Sequence, residues 1–166
     1  HEKRAFVFYS YVFKMTPDHW LEQYYSGEYF SGHFSHLKEV LTKLNIGKNS
    51  FKQIITIGGT NGKGETSRCV YEFLSKNESV GLWTSPHLES VSERFTFSKN
   101  FQVDDLELTQ TFQFLKEWLE DQQTQLSYFE FLFICFMLLA SRKNVDFLIL
   151  YLVLKKPIQC LWILLQ

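Results

Sequence analysis

The chain has 166 residues, a length that suits one domain of about 100–200 residues and allows a buried core. Its formal net charge of -1, from 17 basic and 18 acidic residues, gives no general pull toward nucleic acid or an anionic membrane surface. Aromatic residues make up 17%, with 17 Phe, so some apolar surface is expected to meet a partner domain.

Residues 1–14 read as an extension of doubtful origin. Lys3-Arg4 followed by Ala5 to Phe13 mimics a signal peptide but lacks a small-residue cleavage site, and Met15 is a candidate start. Thr16-Pro17-Asp18 predicts a helix start with Pro in the first turn, running to about Tyr25 and broken by Ser26-Gly27. Leu37, Val40, Leu41 and Leu44 lie on one face of a second helix, closed by Asn45 and Gly47. Phe51 to Ile57 reads as a first parallel strand. Lys63 to Lys76 reads as a helix with Thr66, Val70, Phe73 and Leu74 toward the sheet. Val80 to Thr84 is a second short strand.

Residues 86–100 read as irregular, with Phe95 and Phe97 alternating as a small hairpin. Asp104-Asp105 opens a helix carrying Leu106, Leu108, Phe112, Leu115, Trp118 and Leu119, two acids at its positive end. Ser127 caps a buried helix to about Arg142, with Glu130 three residues on as in a capping box. Its apolar run, Phe131 to Ala140, is too short to span a membrane. Val145 to Leu150 is a third strand. The order predicts an α/β domain on a parallel sheet, with the loops Gly58–Gly64 and Ser85–His87 at its C-terminal edge.

Cys69, Cys135 and Cys160 show no paired ligand spacing and read as buried thiols. His33 and His36, three apart on a helix, read as solvated rather than metal-binding.

The stretch Ile54-Ile55-Thr56-Ile57-Gly58-Gly59-Thr60-Asn61-Gly62-Lys63-Gly64-Glu65-Thr66 carries the chemistry. A strand delivers a glycine-rich loop, the loop holds a lysine, and a helix follows. Glycines let backbone N–H groups turn inward, and the lysine adds a positive charge: a P-loop-type phosphate cradle. The common loop has a hydroxyl directly after its lysine. Here Gly64 follows Lys63 and the first hydroxyl is Thr66, which disfavours a generic kinase or GTPase loop.

Gly59-Thr60-Asn61-Gly62-Lys63-Gly64 resembles the ATP loop of the folylpolyglutamate synthase and dihydrofolate synthase family, within the Mur ligase superfamily. Downstream, Gly81-Leu82-Trp83-Thr84-Ser85-Pro86-His87-Leu88 is similar to that family's Ser-Pro-His-Leu signature, followed by Glu93-Arg94. Ser127-Tyr128-Phe129-Glu130-Phe131 resembles its Thr-x-Phe-Glu segment, and Asp146 to Leu150 its next strand. Trp20-Leu21 and the segment from His33 to Leu44 weakly resemble its N-terminal helices. The resemblance covers Met15 to Leu150.

It implies a truncated Mur-ligase-like central domain over 15–150 and a cytoplasmic, monomeric parent enzyme that joins L-glutamate to dihydropteroate or a folate. The carboxylate takes the γ-phosphoryl group of ATP, and the amine of glutamate displaces phosphate from the acyl phosphate. By resemblance, Lys63 is catalytic; Gly59, Thr60, Asn61, Gly62, Lys63, Gly64, Glu65 and Thr66 hold ATP. Ser85 and Glu130 bind Mg²⁺, and His87, Glu93 and Arg94 face the substrate. The residues alone leave other roles open: a strand-end turn for Ser85, a capping box for Glu130, a turn histidine for His87, a surface ion pair for Glu93 and Arg94.

Departures are expected to matter. Glu65 stands where the family usually has Ser or Thr, and a carboxylate repels phosphates unless it points away or shares a cation. After Leu150 the family continues with Glu-x-Gly-x-Gly-Gly, whereas Tyr151 to Gln166 reads as an aberrant, out-of-frame tail. Competing readings are therefore a non-catalytic remnant with at most residual ATP binding, and another Mur-superfamily ligase acting on cell-wall precursors. Gly64 and the Ser-Pro-His-Leu segment favour the folate branch.

Overall fold

A computed structural model describes residues 15–25, 35–59, 61–98 and 102–151. Four strands form one sheet: β1 (Gln53–Ile57), β2 (Val80–Trp83), β3 (Phe95–Phe97) and β4 (Phe147–Tyr151), in the order β1-β4-β2-β3. β1 and β2 both pair parallel to β4, with Ile57 opposite Tyr151 and Trp83 opposite Leu150. Phe147 to Leu150 is buried throughout, as a central parallel strand covered on both faces should be. Tyr151, read from sequence as the first residue of the tail, is instead the last residue of β4; 152–166 lie outside the described residues.

The alternation at Phe95 and Phe97 is a strand, but not half of a local hairpin. β3 pairs antiparallel with β2, Phe97 opposite Gly81 and Phe95 opposite Trp83. Period two places both phenylalanines on one face, where they meet Trp83 and Phe136. Burial against that aromatic wall outweighs any local turn. Gly81 makes the approach possible, since a Cβ there would stand 3.1 Å from the Phe97 ring and 3.2 Å from Leu148.

Helices cover both faces. α1 (Pro17–Tyr24) starts at Thr16, whose Oγ1 accepts the His19 N–H at 3.3 Å, and buries Trp20 and Leu21. Its expected break at Ser26-Gly27 lies outside the described residues. α2 (Ser35–Lys43) closes as read, with Asn45 left-handed at φ 56 and the Ile46 N–H returning to the Leu41 carbonyl. α3 (Lys63–Leu74) follows β1 and packs a small cluster of Tyr71, Val80, Leu82, Phe147 and Ile149. Its face needs correcting. Ser67, Val70, Tyr71 and Leu74 turn inward, whereas Thr66 is exposed and Phe73 is 72% exposed. At about 100° per residue, Thr66 and Phe73 share a flank roughly 100° from the middle of that stripe.

α4 (Asp105–Asp121) is capped by Asp104, which accepts the Glu107 N–H at 2.8 Å. It buries Leu108, Phe112, Leu115 and Leu119, with Leu106 and Trp118 half-buried. α5 (Tyr128–Arg142) starts at the expected capping box and is buried from Glu130 to Ala140. Its rings, with Trp20 and Phe112, build the larger core against Trp83. Cys135 is buried as read, but Cys69 is exposed on the outer side of α3. His36 is exposed; His33 and Cys160 lie outside the described residues. Among the described residues, no helix is long and apolar enough to cross a membrane.

Candidate functional site

Because β1, β2 and β4 run parallel, the loops after β1 and β2 emerge at one sheet edge, on either side of the end of β4. α3 begins in the first loop. Gly62 is its N-cap, in the left-handed region at φ 74, and as a glycine it offers no side chain to cap the helix. The first-turn N–H groups form the positive end of the helix dipole. A Cβ on Gly62 or Gly64 would meet nothing within 4 Å, so open space lies beside both. Gly59, at φ 147, also needs its glycine.

Lys63 folds back over this loop. Its Nζ donates to the Gly59 carbonyl and stands 5.9 Å from the Tyr151 ring centroid. Asn61, Glu65 and Thr66 are exposed, and Thr60 lies outside the described residues. The Thr66 hydroxyl donates to the Gly62 carbonyl at 2.8 Å, the usual back-bond of a helical threonine.

The second loop is built on carboxylates. Glu93 sits in a short 3-10 turn, Val91–Arg94. Its Oε2 accepts the Leu88 N–H at 2.9 Å, and its Oε1 accepts those of Glu89 at 2.8 Å and Ser90 at 2.9 Å. These backbone bonds hold its carboxyl down at about 2. Asp18, from α1, accepts the Ser90 hydroxyl at 2.7 Å and the Val91 N–H at 2.8 Å. Asp105, at the start of α4, accepts the Ser92 hydroxyl at 2.8 Å. Sequence reasoning treated Asp18 and Asp105 only as helix-start residues; their second partners come from distant loops and leave no local signal.

Arg94 is fully buried, so a surface ion pair does not describe it. Its Nε donates to His87 Nδ1 at 2.8 Å, its Nη1 donates to Ser85 Oγ at 3.3 Å, and its guanidinium lies 5.7 Å from the Tyr128 ring centroid. That ring belongs to the first residue of α5, two positions before Glu130.

Glu130 keeps its capping role: Oε2 accepts the Ser127 N–H at 2.9 Å and the Ser127 hydroxyl at 2.6 Å. Oε1 is buried with no hydrogen-bond partner among the described residues, a state that costs about 1–3 kcal/mol or more for a carboxylate. Tyr25 lies close enough to feel it. Burial first, then Cys135 and Glu130, pushes that phenol above its ordinary range. A hard cation would satisfy Oε1. Among the described residues no cluster of three or more His, Cys, Asp or Glu could hold a metal ion. Glu130 Oε1 and Ser85 Oγ are hard oxygen atoms, the donor type that divalent cations such as those of phosphate-handling sites take.

An α/β fold with a mostly parallel sheet and these two loops at one edge is the Mur-ligase-like class. No protein-family model matches the chain. It is 36% identical over 118 residues to the dihydrofolate synthase/folylpolyglutamate synthase of Buchnera aphidicola from Schizaphis graminum, matching 69% of this chain and 27% of that protein. The Yersinia pestis bifunctional folylpolyglutamate synthase/dihydrofolate synthase complexed with AMPPNP and Mn ion superposes with a TM-score of 0.70 at 27% identity, over 85% of this chain and 34% of that one. A structure of such an enzyme with Mn, AMPPNP and L-glutamate bound gives a TM-score of 0.69 at 28% identity, over 83% and 33%. The chain belongs to the folylpolyglutamate synthase/dihydrofolate synthase family, and spans about a quarter of the length of the curated relatives it matches.

Proposed function

We propose that this chain is the ATP-binding part of an ATP-dependent ligase that adds L-glutamate to dihydropteroate or a folate through an acyl phosphate. The observation that carries the reading is a juxtaposition at one sheet edge. A glycine-loop helix with Lys63 stands at the end of β1; across the end of β4 lies the loop holding Ser85, whose Arg94 packs on Tyr128 at the start of the helix that carries Glu130, and Glu130 Oε1 is buried without a hydrogen-bond partner among the described residues. The relatives' complexes with AMPPNP, Mn and L-glutamate support the same ligand classes here.

In this reading the N–H groups around Gly59 to Gly64 and the start of α3 bind the β- and γ-phosphates, Asn61 and Thr60 shape the loop, and Lys63 leaves the Gly59 carbonyl for the γ-phosphoryl oxygens. Glu65 and Thr66 flank the phosphates from the first turn. Ser85 and Glu130 are the residues that would hold Mg²⁺, which when bound would supply positive charge against the phosphates. His87 meets the carboxylate substrate, in the loop that Glu93 and Arg94 shape. The substrate's carboxylate oxygen attacks the γ-phosphorus in line and ADP leaves; glutamate's amine then attacks the acyl carbon and phosphate leaves.

Calorimetric titration of the 166-residue chain with AMPPNP, with and without Mg²⁺, tests the reading. Micromolar, Mg²⁺-dependent binding that Lys63→Ala weakens supports it. A folded chain with no binding overturns it in favour of the non-catalytic remnant.

A further inference from the structure

We infer that Arg94 is a positioning residue: its guanidinium fixes His87 in a single tautomer and ties it to Ser85, so that both reach the site as one rigid unit. Two of its nitrogens are aimed at two side chains of the same short segment. Nε donates to His87 Nδ1 at 2.8 Å and Nη1 to Ser85 Oγ at 3.3 Å. A guanidinium has donors and no acceptor. His87 Nδ1 therefore accepts with a lone pair, and the imidazole proton sits on Nε2. Ser85 Oγ likewise accepts, which frees its own O–H to point elsewhere.

The fork is locked from behind. Arg94 is fully buried, and its guanidinium lies 5.7 Å from the Tyr128 ring centroid. The turn that carries it is held by Glu93 on three backbone N–H groups and by Asp18 on Ser90 and Val91. The Thr84 hydroxyl donates to the Glu93 carbonyl at 3.0 Å and closes the segment's other end. Such planar, two-pronged geometry is what Arg supplies and Lys does not. Its consequence for catalysis, a preset Nε2–H donor beside Ser85, rests on the function proposed above. The tautomer itself does not, so failure of ATP binding and failure of this assignment are told apart.

Two-bond ¹H–¹⁵N correlation on the ¹⁵N-histidine-labelled 166-residue chain, at a pH where imidazoles are neutral, reads the tautomer directly. The expected result is one His87 form, with the proton on Nε2 and a hydrogen-bonded, acceptor-type Nδ1. A proton on Nδ1, or the mixture of a free imidazole, overturns the assignment without any variant. Arg94→Lys keeps the charge and loses the fork. If it folds, as judged by the Trp83 indole signal, loss of the single tautomer is expected; retention overturns the two-pronged role. If it does not fold, the decision falls to the wild-type spectrum. AMPPNP affinity in the same variant should fall less than in Lys63→Ala, because Arg94 is read as touching no ligand atom.

Discussion

The loops after β1 and β2 leave the same sheet edge and are held in opposite ways. The first, Gly58 to Gly64, is backbone: four glycines, Gly58, Gly59, Gly62 and Gly64, and a helix start whose N-cap is itself a glycine, with Lys63 turned onto the loop's own carbonyl. The second, Thr84 to Arg94, is clamped by the carboxylates of Asp18, Glu93 and Asp105 and by the Arg94 fork. An anion cradle must leave its N–H groups unspent until the ligand arrives. A segment that positions side chains gains from satisfying its own donors beforehand. The two loops divide these tasks.

The largest separation between them should come from Lys63→Ala. Losing one charge-assisted contact of about 1.5–3 kcal/mol lowers AMPPNP affinity about 10–100-fold in calorimetry. Urea unfolding should change little, because its hydrogen bond to the Gly59 carbonyl lies within the loop and its approach to the Tyr151 ring is long, 5.9 Å to the centroid. A large loss of stability would break the contrast. Asp18→Ala is the opposite test. It strands the Ser90 hydroxyl and the Val91 N–H, and unfolding free energy should drop by about 2 kcal/mol. An unchanged denaturation midpoint would mean the clamp carries no load.

Acid sharpens the same comparison. The Glu93 carboxyl is held down at about 2 by backbone N–H groups, against its ordinary 4.5. A depressed carboxyl contributes stability that is full above the unfolded value and lost as pH falls through the folded one. The clamp should stay intact at pH 5 and loosen between 4.5 and about 2. The amide signals of Leu88, Glu89 and Ser90 should then move together with a midpoint near 2; a shared midpoint at 4.5 would show an unclamped loop. Glu93→Gln should remove that titration.

The smallest effect separates glycine chemistry from ligand chemistry. Gly62 and Gln123 are both left-handed, at φ 74 and φ 51. Gln123→Gly should raise stability by about 1 kcal/mol, measured as a higher melting temperature, because it relieves a side chain at a helix C-terminus. Gly62→Ala should cost about as much. Loss of AMPPNP binding beyond that cost would mark the space beside Gly62 as phosphate space.

Much was legible in the chain because its signals are local. Glycine spacing after an apolar strand, Thr16 and Pro17 at a helix start, Asp104 at another, and Ser127 with Glu130 all act within about one turn, and the structure repeats each of them. The inward face of α3 was misread. Thr66 and Phe73 share a flank of the helix, and only the neighbours across the sheet decide which flank is covered. The pairing of Phe95 and Phe97 with β2, rather than with a local partner, depended on an aromatic wall contributed by α5 and β2.

By itself the sequence determined the element types, the glycine loop with its lysine, and the family, because these depend on residue spacing alone. Tertiary structure decided what the polar side chains do. Asp18 reaches 73 residues along the chain to Val91, Arg94 is buried between Ser85, His87 and Tyr128, and Glu130 keeps one oxygen for its cap and one without a hydrogen-bond partner among the described residues. Such roles depend on which distant groups share a low-dielectric interior, and that is set when the sheet and its helices pack.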